Sequence, residues 1–144
     1  MSAPTGSTRL WTVSLGSAGI LDCSMAGYHF ILPMHMGWGT HLHETPTSIA
    51  WALYALNFSW SLLLLLTGLL VLNVARLGPG AGRFARRFVF VVGLFWLIHG
   101  VYTWLHPFPM PASLAALKIG LALFPVLTVA LHWGPLLASS RRGE

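Results

Sequence analysis

From Thr45 to Ala75 the chain carries no charged side chain, and the middle of that stretch reads SLLLLLTGLLVL. A helix needs about 20 apolar residues to cross the hydrocarbon core of a bilayer, and this run exceeds that length. The rest of the chain points the same way. Of its 144 residues, 56% are hydrophobic and only 8% are charged, against roughly 25% charged in an ordinary soluble domain. So few charges cannot cover the surface of a soluble fold, and the composition specifies an integral membrane protein. The length, 1–144, allows a single transmembrane domain.

Four spans are expected, over residues 10–32, 49–75, 88–105 and 112–137. The second is the leucine-rich run; the third reads FVFVVGLFWLIHGVYTWL. The first is poorer in leucine and carries Asp22, and the fourth contains Pro125. Short connections favour an all-α antiparallel four-helix bundle. They are Pro33–Thr47, Arg76–Arg87 (RLGPGAGRFARR) and His106–Pro111 (HPFPMP).

Arginine placement gives the expected direction. Arg76, Arg83, Arg86 and Arg87 lie in the middle connection and Arg9, Arg141 and Arg142 in the tails, while the other two connections hold no lysine or arginine. Basic loops stay on the cytoplasmic side. Both termini are therefore expected to be cytoplasmic, in a bacterial inner membrane, with the first and third connections facing outward. The net charge of +5 then serves topology and lipid headgroups rather than nucleic acid, which the pattern does not favour.

The outward-facing stretch Tyr28–Glu44, YHFILPMHMGWGTHLHE, holds four of the seven histidines. Candidate metal donors at that end are His29, Met34, His35, Met36, His41, His43 and Glu44, with His106 and Met110 in the other outer connection. Imidazole and thioether donors together suit copper. His29 with His99 or His106 is also a candidate axial pair for a b-type haem. Against these stands a plainer role: histidine is a good interfacial residue, with an apolar body and a polar tip. No spacing typical of a metal site is present.

Ionisable groups inside a span cost about 2.5–3.5 kcal/mol each at its centre, so the polar layer needs a reason. It comprises Asp22, Asn57, His99 and Lys118, one from each span. A rise of 1.5 Å per residue puts Asp22 and Asn57 roughly 15 Å below the outer boundary and His99 and Lys118 roughly 9 Å below it. Helical spacing groups Leu15, Gly19, Asp22, Ala26 and His29 on one face of the first span. It groups Gly93, Trp96, Gly100 and Thr103 on the third, and Lys118, Ala122, Pro125, Val129 and His132 on the fourth. One arrangement is an outward-open pocket with an Asp22–Lys118 ion pair, binding a small polar ligand, a quinone head group or a proton. The other is an ion pair that only fixes helix register while Lys118 reaches toward the surface. His132, beside Trp133, reads as an inner interfacial residue.

The segments RLWTVSLGSAGILDCSMAG, HFILP and SLLLLLTGLLVL resemble the DoxX-like small four-helix membrane proteins, and parts of uncharacterised bacterial membrane proteins. The resemblance covers the four-span outline and implies, as a further alternative, a small redox-associated enzyme subunit. The chain differs in having Asn57 and Ser61 where an acidic residue is expected in the second span. The sequence holds no GxSxG, HExxH, Walker loop, CxxC or paired carboxylates. The leading expectation is a non-catalytic accessory or structural subunit, associated with other membrane subunits or with itself. The alternative is an outward-facing protein that handles copper, haem or a quinone.

Overall fold

The computed structural model describes residues 6–107 and 115–140. Five helices follow one another: α1 (Gly6–His35), α2 (Trp38–His41), α3 (Thr47–Leu77), α4 (Gly82–Leu105) and α5 (Ala115–Ser140). There is no strand among the described residues. Three helices, α3, α4 and α5, are long and apolar enough to cross a membrane. Helix α1 is of similar length but richer in small and polar residues.

Helices α1 and α3 outrun their expected spans at both ends, α4 at its start and α5 at its end. Helix α1 continues through Pro33, and α4 begins at Gly82, so the basic connection shrinks to a turn at Gly78–Ala81. That turn is sharp because Gly78 and Gly82 adopt φ of 74° and 82°, values that side-chain-bearing residues rarely take. Much of the connection Pro33–Thr47 is helical rather than a loop, with Gly37 at φ 60° admitting the short α2. The HPFPMP corner falls mostly outside the described residues.

The helices pair through contacts at both ends. The Trp11 indole N–H donates to the Val74 carbonyl at 3.2 Å, and Asn57 donates to the His29 carbonyl at 2.8 Å. Helices α1 and α3 are therefore antiparallel neighbours. Helices α4 and α5 are likewise antiparallel: Trp104 donates to the Ala122 carbonyl at 2.9 Å and Trp133 to the Phe90 carbonyl at 3.1 Å. Helix α1 also lies along α5, which joins the two pairs. At the basic end Arg86 sits 5.7 Å from the Trp11 ring centroid and bonds the Ser139 hydroxyl, tying α1, α4 and α5 together.

Close approach depends on glycine. A Cβ on Gly19 would lie 2.9 Å from the Gly68 carbonyl oxygen, and one on Gly68 would lie 2.9 Å from the Cys23 backbone nitrogen. The backbones of α1 and α3 meet at these two positions, where small residues allow close helix packing. On the other side, Gly93 leaves room for the Trp133 indole, which stacks on Phe90 at 5.3 Å.

Proline inside a helix removes the N–H that would have bonded the carbonyl four residues earlier. Pro33 frees the carbonyl of His29, and Pro135 frees that of Leu131. Side chains from neighbouring helices take up both. Asn57 donates to the first at 2.8 Å and the Ser14 hydroxyl to the second at 2.9 Å. An apolar surrounding makes such replacement donors necessary.

The core holds Trp11, Leu15, Ala18, Leu64, Val71, Val89 and Trp96. Two polar residues of α1, Ser14 and Asp22, are buried against partners on α4 and α5, and Thr12 reaches the Ala75 carbonyl of α3. Outer faces are apolar over long stretches: Leu56, Phe58, Leu63, Leu66, Leu69 and Leu70 on α3 are all exposed, as are Val91, Ile98 and Val101 on α4.

Candidate functional site

At the centre of the fold lies a polar cluster with no exposure. Asp22, Thr128 and His132 are each 0% exposed and Trp96 is 2% exposed. Helical spacing on α1 brings Asp22 onto the face shared with Leu15, Gly19 and Ala26, all buried. The Trp96 indole N–H donates to Asp22 Oδ1 at 2.8 Å. Asp22 Oδ2 lies 3.3 Å from His132 Nε2, without the alignment of a good hydrogen bond.

The other imidazole nitrogen fixes the chemistry. His132 Nδ1 lies 2.7 Å from the Thr128 carbonyl oxygen. A carbonyl can only accept, so Nδ1 carries a proton. A neutral His132 then presents a lone pair at Nε2, facing a carboxylate oxygen that is also a lone-pair donor. Two such atoms at 3.3 Å in an apolar interior repel unless a proton lies between them. The Asp22–His132 pair therefore holds one proton, as imidazolium with carboxylate or as imidazole with carboxylic acid. In both forms the pair is neutral overall, which lowers the cost of burying it.

A cavity of about 360 Å³ adjoins this cluster, a size typical of small-ligand sites. Every long helix lines it: Tyr28 and His29 from α1, Trp60 from α3, Trp96, His99 and Tyr102 from α4, and Lys118 and Phe124 from α5. Trp38 of α2 and His106 complete the rim. Trp96 is the shared wall, lining the cavity while its N–H is committed to Asp22. His99 stands edge-on to Trp96 at 5.6 Å and Phe124 does so at 5.2 Å, so the wall is rigid and aromatic.

The residues expected from sequence to matter divide into three groups. His29, Met36, His99, His106 and Lys118 line this one cavity. Asn57 and Met34 line a separate, more open pocket of about 580 Å³ beside α2, and Asn57 serves the His29 carbonyl rather than a layer around Asp22. His35, His41, His43 and Glu44 are exposed, and Met110 lies outside the described residues. Among the described residues, no three His, Cys, Asp or Glu side chains gather to hold a metal ion.

Two expectations about pairing are corrected. Asp22 accepts a hydrogen bond from Trp96 and faces His132 rather than Lys118, which is exposed at the cavity rim. His132 is a fully buried partner, not an interfacial residue. Lys118 and His132 share one stripe of α5 but lie about 21 Å apart along it, so one carboxylate cannot serve both. The sequence does not mark Trp96 as the partner of Asp22, nor Thr128 as the partner of His132. The inward stripes holding Trp96 and His132 were the available signal.

Compared with protein-family models, curated proteins and solved structures, the chain matches none.

Proposed function

We propose that the chain is an integral membrane protein of four antiparallel spans that holds a small amphiphilic ligand in a pocket open to the outer side. Both termini and the Gly78–Ala81 turn lie on the cytoplasmic face of a bacterial inner membrane, since the arginines gather at that end. The apolar outer faces of α3, α4 and α5 then meet lipid tails, where in water they would form an untenable exposed patch. Helix α1 is the remaining span, with Thr12, Ser14 and Asp22 bonded to α3, α5 and α4 respectively.

The observation that carries the pocket is its construction. One cavity is walled by aromatic rings from several helices, with histidine and lysine confined to a few positions. Such a site grips an apolar or ring-bearing body and orients a polar head, as a quinone or a lipid would offer. The Trp96–Asp22–His132 cluster holds the cavity wall in place from behind. A role as an accessory subunit of a larger complex rests on the same apolar faces that lipid covers, so the cavity favours ligand handling.

Ala122 lines the cavity, and Ala122→Trp places a bulky ring inside it. Native mass spectrometry of protein released from a mild nonionic detergent should show a retained amphiphile on the parent chain. The adduct is expected to fall at least about tenfold in Ala122→Trp, the loss of about 1.4 kcal/mol of binding. Equal retention by both proteins would mean that the cavity is not the binding site.

A further inference from the structure

Among the described residues that line the cavity, only Lys118 carries a formal charge. Among them are the Lys118 ammonium and the imidazoles of His29, His99 and His106, and no carboxylate. The described residues contain two acids, Asp22 and Glu44. Asp22 is committed to Trp96 and His132 behind the wall, and Glu44 is exposed in the outer connection and does not line the cavity. Among the described residues, no ion pair involves Lys118. A cation beside an aromatic cavity with no counter-charge of its own is completed by an anion brought in by the ligand.

The rest of the lining decides what kind of anion. Met25, Leu32, Leu64, Trp60, Leu121 and Phe124 supply apolar walls that a free inorganic ion would leave unused. Lysine acts as a compact point charge with three rotatable donors and suits a carboxylate or phosphate equally well. Tyr28, Tyr102 and Thr103 add hydroxyls to the same lining. Resting on the pocket function above, we infer that the ligand is a single-chain amphiphile with an anionic head, a fatty carboxylate or an alkyl phosphate. Its head lies at Lys118 and the histidines, and its tail among the aromatic rings.

The test uses four probes of equal chain length on the full protein in nonionic detergent, followed by tryptophan fluorescence. The probes are dodecanoate, dodecyl phosphate, dodecanol and dodecyltrimethylammonium. The two anions are expected to bind about tenfold more tightly than the alcohol, and the cation more weakly still. Lys118→Gln should bring the anions down to the alcohol's affinity while leaving the alcohol unchanged, and Lys118→Arg should restore most of the difference. Unchanged alcohol binding also shows that the variant is folded. Equal binding of all four probes would overturn the charge inference and leave the pocket standing, whereas no binding of any probe would remove the pocket itself. Displacement of dodecyl phosphate by an equal concentration of inorganic phosphate would show a site for the free anion and overturn the amphiphile.

Discussion

Asp22→Ala is expected to destabilise the protein by about 3–5 kcal/mol, because removing one member of a buried pair strands the other. The Trp96 indole N–H and His132 Nε2 would both lose their partner in an interior that offers no water. Asp22→Asn should behave quite differently. Its amide oxygen can accept from Trp96, and its N–H₂ can donate to the Nε2 lone pair that the Thr128 bond imposes on neutral His132. The amide thus supplies the one proton that the geometry requires, and the cost should fall to about 1 kcal/mol, near the worth of an ordinary hydrogen bond. Reversible unfolding in mixed micelles measures both variants. Equal losses for alanine and asparagine would show that a shared proton does not organise the centre.

Gly68→Leu is the second large effect. A Cβ at this position would lie 2.7 Å from Cys23 Sγ, 2.9 Å from the Cys23 backbone nitrogen and 3.0 Å from Asp22 Cβ. Side chains can rotate away from such a clash, but a backbone nitrogen moves only with its helix. Helices α1 and α3 must separate, and Asp22 moves with α1 away from Trp96 and His132. The expected cost is about 3 kcal/mol, the upper end for overpacking, with weakened cavity binding in the same variant. Gly120→Leu is the control, since a Cβ there meets nothing within 4 Å, and it should unfold with the parent chain. A Gly68→Leu protein as stable as that control would contradict the close α1–α3 contact.

Much of this arrangement was legible in the sequence. The stripe Leu15, Gly19, Asp22 and Ala26 is the buried face of α1, and Gly93, Trp96 and Gly100 are buried on α4. Periodicity reports such faces because side chains three and four residues apart share one side of a helix. Partner choice was not legible, because it depends on depth as well as face. Lys118 and His132 lie on one stripe, and span depth puts the lysine in the outer half with Asp22 while placing His132 at the inner interface beside Trp133. Helix α5 runs from Ala115 to Ser140, which sets His132 well inside the helix and Lys118 at its start.

Asn57 shows a different limit. Its depth matched that of Asp22, which suggested a common layer. Its role instead follows from Pro33, whose missing N–H leaves the His29 carbonyl in need of a donor. The same logic links Ser14 to Pro135. Both prolines were visible in the sequence, but which neighbouring helix answers them is a property of packing. The outer histidines divide for a similar reason. His29 on α1, His99 on α4 and His106 just past the end of α4 reach the cavity between the helices. Those around the short α2, His35, His41 and His43, point into the surroundings.

The most direct test of an outward-opening membrane pocket is labelling of single cysteines on intact bacterial cells. Cys23→Ala removes the native thiol, and Lys118→Cys and Phe84→Cys place one at the cavity rim and one near the basic turn, where Phe84 is 85% exposed. A membrane-impermeant maleimide should label residue 118 on intact cells and residue 84 only after the membrane is opened. Labelling of residue 84 on intact cells with residue 118 protected, or of both alike, would contradict the proposed orientation and the outward pocket with it.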